Sequence, residues 1–332
     1  MLTVENLTIS FRTDEGRITP VQDVGFSVAE GRTLGIVGES GSGKSVSTKA
    51  LMRLLPGNAE IGREARMRYT SKSGEDIAIE ALKPGSRALR RLRGGEIGMI
   101  FQEPMASFSP VYTIGNQIME TVRLHRGLNG TAARDLAVEM LTKVGISNPG
   151  ARVDQYPHEL SGGMRQRAMI ALALSAGPRL LIADEPTTAL DVTIQAQVLD
   201  LMRDLQRDLG MGMIFITHDL GVIAHVADDV AVMYLGTIVE TGTAREVLKS
   251  PAHPYTRGLI KAIPRLDRLD ARLEAVPGDI PSPSARPTGC PFHTRCAEAI
   301  AGLCERVTPP EVRLAQGRRV RCHLHDETRA VA

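Results

Sequence analysis

The chain has 332 residues, of which 42% are hydrophobic, enough for one large buried core or two smaller ones, so it reads as globular. Forty basic and thirty-eight acidic side chains leave a net charge of +2, too balanced for nucleic acid or an anionic membrane surface to be the main partner. No run approaches the ~20 apolar residues of a membrane-crossing helix, and MLTVENLTISF lacks the basic start and long apolar stretch of a signal peptide. A cytoplasmic protein is expected, with other chains doing any spanning. In that reducing compartment the four cysteines read as ligands, catalytic groups or free thiols, not disulfides.

Residues 1–36 read as strands with a turn at TDEGR, the last of them, TLGIV, feeding into GESGSGKS and a helix from about Ser45 to Leu55. From Pro56 to Gly95 the pattern is polar and irregular, with weak strand signals in ARMRYT and DIAIEAL. The basic run RALRRLRG reads as a solvated helix face. Helical spacing dominates residues 112–175, with breaks at Pro149 and Pro157. Between 178 and 250, short apolar strands (RLLIADE, GMIFITHD, VAVMYLG) alternate with helices, the order that builds a parallel sheet. Beyond Pro251 the texture changes. VPGDIPSPSARPTGCP holds five prolines, which argues for an extended linker instead of another α/β layer and puts a boundary near residue 255.

Gly38 to Ser45 fits G-x-x-x-x-G-K-[ST] between a strand and a helix. In such a loop Gly38, Glu39, Ser40, Gly41, Ser42 and Gly43 turn backbone N–H groups towards phosphate oxygens. Lys44 reaches the terminal phosphates, and the Ser45 hydroxyl can ligate Mg²⁺. LLIADE ends an apolar strand in two carboxylates: Asp184 is placed to hold Mg²⁺ through water, and Glu185 to act as general base on an attacking water. LSGGMRQR opens a second helix whose N-terminus suits an anion, in a chain that already has one such site.

On GESGSGKS, LLIADE and LSGGMRQR the sequence resembles the ATP-binding subunits of ABC transporters. The resemblance implies that Ser161, Gly162, Gly163 and Gln166 complete a partner's ATP site across a head-to-tail dimer. It implies further that Gln102 in MIFQEP is the glutamine that reaches Mg²⁺ and the reacting water. Asp191 in ALD (189–191) matches the loop joining two active sites, His218 in FITHD the histidine that senses γ-phosphate, and Phe11 the aromatic that stacks on adenine. Narrower likeness in FQEPMASFSPVYTIGNQI, TTALDVTIQAQVL and HPYTRGLIKAIP is to dipeptide, oligopeptide and nickel importers, with Ser109 standing where that branch has Asn.

The fold implied is α/β. A P-loop ABC ATPase core spans residues 1–255, with a mixed or parallel sheet, an antiparallel β-subdomain and a helical signature subdomain at about 103–175. A small irregular cysteine-bearing extension spans 256–332. The function implied is ATP hydrolysis driving a bacterial peptide importer from the cytoplasmic face of the inner membrane. The implied partners are a second, unequal ATPase subunit, two transmembrane permease subunits and, indirectly, an extracytoplasmic peptide-binding protein, with no nucleic acid. A nickel or other solute importer, a non-transport ABC ATPase and a small-molecule kinase are the alternatives.

Cys290, Cys296, Cys304 and Cys322 are spaced C-x5-C-x7-C-x17-C, within a stretch about one tenth of the chain long near its carboxyl-terminal end. Four thiols suit either zinc or an iron–sulfur cube, and a short segment poor in apolar pattern gains from a metal staple. Spacing does not choose between the two. The likeness of GCPFHTRC through RCHLH to the carboxyl-terminal extension of peptide-importer ATPases implies a 4Fe-4S cluster.

Overall fold

The computed structural model describes residues 1–14, 16–103, 107–188, 190–263 and 276–326. In chain order its strands are β1 (Leu2–Thr13), β2 (Gly16–Val28), β3 (Thr33–Val37), β4 (Ala59–Ile61), β5 (Arg66–Thr70), β6 (Asp76–Ala78), β7 (Ile97–Ile100), β8 (Leu180–Asp184), β9 (Gly212–Thr217), β10 (Asp229–Tyr234), β11 (Thr237–Thr243), β12 (Glu311–Arg313) and β13 (Arg319–Arg321). Its helices are α1 (Lys44–Leu51), α2 (Arg87–Leu92), α3 (Ile114–Arg126), α4 (Gly130–Lys143), α5 (Pro149–Arg152), α6 (Gly162–Ser175), α7 (Val192–Leu209), α8 (Leu220–Val226), α9 (Ala244–Lys249) and α10 (Pro254–Lys261). These residues divide into two compact units. One comprises Met1–Leu2, Val28–Thr33 and Arg68–Ile216, the other Thr3–Ser27, Leu34–Met67 and Thr217–Ala332.

In the first unit, the apolar runs IGMI, LLIAD and GMIFI form β7, β8 and β9, fully buried and paired in parallel with Ile97 opposite Leu180 and Leu180 opposite Gly212. Strands buried on both faces must be apolar throughout, which is why these runs do not alternate. The helices α3, α4 and α6 pack on one another in the same unit. Pro149 and Pro157, read from sequence as breaks, each begin a helical turn, because proline's fixed φ and missing N–H suit a first helical position. Arg179, just before β8, forks onto the Glu30 carboxylate (3.0 and 2.5 Å) and donates to the carbonyls of Thr70 and Ser71.

In the second unit, β3 runs parallel to β10, and β10 turns back antiparallel into β11. Alternation in β1 buries Leu2, Val4, Leu7 and Ile9, and β4 pairs antiparallel with β1. The basic run of the first unit is α2, capped by the Ser86 hydroxyl and burying only Leu89 and Leu92, so the solvated-face reading holds. The proline-rich stretch 276–291 holds no strand or α-helix, as expected of a linker. The tail beyond it departs from expectation: β13 pairs with β11 (Val320 opposite Glu240) and β12 pairs with β13, so this segment lengthens an existing sheet. These three-residue strands carry too little apolar pattern to stand out in sequence. Residue 255 lies within α10, and the part of the linker at 264–275 is outside the described residues.

Candidate nucleotide site and cysteine segment

Strand β3 delivers the chain into a loop that only glycine can make. A Cβ on Gly38 would lie 2.1 Å from the Met233 carbonyl oxygen, and one on Gly43 would lie 2.5 Å from that of Pro20. Gly43 also has φ +99 and N-caps α1 without a side-chain cap, so the first amides of α1 have no side-chain acceptor from their own cap. Lys44 is 4% exposed, and its Nζ donates to the carbonyls of Gly38 (2.7 Å) and Glu39 (3.0 Å). The buried Ser42 Oγ has no hydrogen-bond partner among the described residues. A buried hydroxyl left this way in a glycine loop at a helix start fits a loop that receives phosphate oxygens. Glu39 is held on three sides within the same unit: its N–H donates to the Tyr255 hydroxyl (3.0 Å), its carbonyl accepts from Lys44, and its carboxylate takes two bonds from Arg295 (2.8 and 3.0 Å).

In the first unit, β8 ends at buried Asp184 and the next residue, Glu185, has φ +48. A non-glycine residue in the left-handed region stores on the order of 1–3 kcal/mol, and such strain collects at functional positions. The Glu185 carboxylate accepts from Gln102 Nε2 (3.2 Å) and Thr188 Oγ1 (3.0 Å), while its N–H donates to the Ile216 carbonyl. Gln102 and Glu185, 83 positions apart in sequence, are therefore brought together.

Ser161 N-caps α6, accepting from the Met164 N–H at 3.4 Å, and is exposed. Gly162 has open space around it, and a Cβ on Gly163 would touch Ile194 at 3.1 Å. Gln166 is 2% exposed and donates to the Pro186 carbonyl. Asp191 N-caps α7 through the Ile194 N–H (3.0 Å), whereas Ala189 of the same motif lies outside the described residues. Ser109 exchanges backbone bonds with the Gln117 amide (2.9 and 3.1 Å), so the residue that departs from the peptide-importer pattern is fixed by its main chain. In the second unit, His218 is exposed directly after β9, and Phe11 sits on β1 opposite Ala59. Phe11, Gly38–Ser45 and His218 thus fall in the second unit, while Gln102, Ser161–Gln166, Asp184, Glu185 and Asp191 fall in the first.

All four cysteines are free of disulfides; Cys290, Cys304 and Cys322 are buried and Cys296 is half-buried. Burial pushes the Cys290 thiol up to about 12, and the other three thiols push it the same way. Burial likewise raises Cys296 and Cys322, each of which also senses Cys304. Burial thus favours the neutral thiol at Cys290, Cys296 and Cys322. Among the described residues no group of three or more Cys, His, Asp or Glu side chains could hold a metal ion as they stand.

Sequence reasoning missed Arg295, which lies on the helical turn between Cys290 and Cys296, and it missed Tyr255. Arg295 is also fixed by the carbonyls of Pro277 (2.9 Å) and Val276 (3.2 Å) and sits 5.7 Å over the Tyr234 ring. The rings of Tyr234, Tyr255 and Phe292 pack 4.7–5.4 Å from one another. The carboxylate of Glu240, wholly buried on β11, was missed as well. It accepts from the N–H groups of Ala252 and His253 and from Arg318 (2.8, 2.9 and 2.8 Å), tying the start of α10 and the approach to β13 together.

The family described as ABC transporter matches residues 21–188, and the one described as the carboxyl-terminal region of oligopeptide and dipeptide transporters matches residues 239–304. With the phosphate loop, the acidic strand and the signature helix all inside folded elements, the chain belongs to the ABC transporter family as an ATP-binding, ATP-hydrolysing subunit. Among its relatives are two named as peptide import ATP-binding proteins. One, from Brucella abortus, is 48% identical over 97% of this chain and 96% of its own; the other, from Brucella melitensis, is 50% identical over 93% of each. A dimeric ATP-binding cassette solved in a post-hydrolysis state with ADP and Pi superimposes with a TM-score of 0.64 at 26% identity, covering 74% of this chain and 99% of the other. A cassette of an ABC transporter complex from Clostridium perfringens gives 0.61 at 25% identity, covering 75% and 90%. Among the described residues no helix is long and apolar enough to cross a membrane.

Proposed function

We propose that the chain is the ATP-hydrolysing motor of a peptide importer, bound peripherally to two permease subunits at the cytoplasmic face of the inner membrane. The observation that carries this reading is the match of residues 239–304 to the oligopeptide and dipeptide transporter carboxyl-terminal region, in a chain whose relatives are named for peptide import. In this reading the core is residues 1–255, with a helical subdomain at about 103–175, and the extension is 256–332. Gly38–Lys44 hold the phosphates and Phe11 stacks on adenine. Ser45 of the second unit and Gln102 and Asp184 of the first would be the ligands of a Mg²⁺ ion, which would supply charge neutralisation for phosphoryl transfer. Glu185 takes the proton of the attacking water, Gln102 orients that carboxylate, and His218 contacts the γ-phosphate. Ser161, Gly162 and Gly163 serve the ATP of a second, related subunit, Gln166 supports that turn from within through its bond to the Pro186 carbonyl, and Asp191 links the two sites, so ATP closes the pair and hydrolysis opens it. Cargo is delivered by an extracytoplasmic binding protein, and no nucleic acid takes part.

The four cysteines belong to the same proposal. In number they match a group held by four thiolates, which would have to draw these side chains together from their present placement; a 4Fe-4S cluster is the assignment, with zinc the alternative. Because burial holds Cys290, Cys296 and Cys322 as neutral thiols, loading must release protons and weaken as pH falls. Co-expression with the neighbouring permease and binding-protein genes, followed by uptake assays with labelled dipeptide and with nickel, tests the transport reading. ATP-dependent dipeptide uptake that Glu185→Gln abolishes is expected. Nickel uptake without peptide uptake overturns it.

A further inference from the structure

We infer that Arg295, from the cysteine-bearing segment, is a positioning residue for the phosphate loop: it cancels the charge of Glu39 and holds the loop in the shape that binds ATP. This rests on Gly38–Ser45 being the loop that holds the phosphates of ATP.

Glu39 is an odd residue for that place. A carboxylate in a loop built to receive a triphosphate opposes its ligand by simple charge repulsion. Here the carboxylate is matched by both terminal nitrogens of one guanidinium, at 2.8 and 3.0 Å, from a residue 256 positions away. Forked pairing of this kind fixes orientation as well as charge. The Arg295 side chain is 3% exposed against 26% for Glu39. A cation this deeply buried is costly unless paired, and a pair that loses one member is left with an uncompensated charge. Arg295 is itself immobilised by the carbonyls of Val276 and Pro277 and by the Tyr234 ring, so it is a fixed post.

What the post holds is the partner of Lys44. The Glu39 carbonyl accepts from Lys44 Nζ and the Glu39 N–H is tied to Tyr255, so a shift of Glu39 moves an acceptor of the lysine assigned to the terminal phosphates. Arg295 also immediately precedes Cys296, on the turn that starts three residues after Cys290. Arg295 touches neither nucleotide nor water in this scheme. It acts through Glu39, so its loss falls on affinity and not on turnover of bound ATP.

The test uses the full chain and a fluorescent ATP analogue, with Kd, KM and kcat measured for each variant. Arg295→Gln is expected to weaken Kd and KM about tenfold, more at low salt than at high salt, with kcat within twofold of the parent. Adding Glu39→Gln, which removes the exposed charge, is expected to restore affinity to within threefold. Rescue by removing a second group is not what a merely structural arginine would give. Parent-like Kd in folded Arg295→Gln, or a double variant as weak as the single one, overturns the proposal. Should Arg295→Gln not fold, Arg295→Lys carries the test, since it keeps the charge and loses the fork. Kd weakened about threefold with unchanged kcat supports the inference, and parent-like Kd overturns it. Lys44→Ala separates the two readings: if it binds ATP as the parent does, the phosphate-loop assignment fails, whatever Arg295 does.

Discussion

Two helix N-termini in this chain are suited to anions, and they are built differently. Helix α1 begins at Gly43, which has φ +99, no side-chain cap and no room for a Cβ, and the lysine after it is buried among the loop's own carbonyls. Helix α6 begins at Ser161, whose hydroxyl already accepts from the Met164 N–H, and the glycine after it has open space around it. The first terminus is closed over its own chain and tolerates no added atom. The second is capped by Ser161 and is exposed at Ser161 and Gly162, with only Gly163 close against Ile194. On the proposed reading the same physical principle, dipole and amides at a helix start, serves a private site at α1 and a shared one at α6, and the packing around the glycines is what differs between them.

The sharpest break of this comparison leaves both termini intact and removes only chemistry. Glu185→Gln keeps the acceptor for Gln102 and Thr188 but not the base, so hydrolysis should drop by about 100-fold or more while ATP affinity is retained, as read by single-turnover assay and nucleotide titration. Lys44→Ala attacks the private terminus. Losing charge-assisted bonds to the phosphates should weaken ATP binding about 100-fold in the isolated subunit. Ser161→Tyr attacks the shared terminus and should lower hydrolysis about tenfold in the assembled pair, with ATP affinity of the lone subunit unchanged. If the lone subunit loses affinity with Ser161→Tyr, the distinction between the termini collapses.

The smallest effect concerns stability. Burial pushes His253 down to about 3, and its Nδ1 accepts from the Tyr255 N–H, so it is folded in the neutral form. An unfolded histidine binds its proton near 6.5, so between about 6.5 and 3 the unfolded state holds more protons. Stability should therefore fall with pH across that window by up to about 1.4 kcal/mol per unit. Denaturant melts of the parent and of His253→Asn, which keeps a capping acceptor without the titration, should show the slope reduced in the variant.

Much of the nucleotide machinery was legible because it is local. Eight consecutive residues define the phosphate loop, and the steric need at Gly38 and Gly43 is the same need that makes the pattern rare. The apolar strands ending at Asp184 and Thr217 were equally plain. What escaped reading is non-local. Arg295 looks like any basic residue until Glu39 is found against it, and Glu240 reads as an ordinary strand carboxylate until Arg318, 78 positions on, is seen to bury it. Pro149 and Pro157 were legible as breaks, since α4 ends at Lys143 and α6 begins only at Gly162; the short helical turns they start were not, because proline both stops a helix before it and starts one after it.

The late strands β12 and β13 decide what the surface of the second unit's sheet presents to other molecules. In that unit β11 has β10 on one side and β13 on the other, and Val312 and Leu314 close over Ala252, Val320 and Cys322. Cutting the chain at residue 255 would turn β11 into a naked edge strand, a row of unsatisfied amides and carbonyls flanked by apolar side chains and carrying the stranded Glu240 charge. Edges of that kind template association with other chains. A fragment of residues 1–255 should therefore aggregate where the full chain stays dispersed, as light scattering would record, and the cysteine segment would be a guard against self-association as much as an appendage.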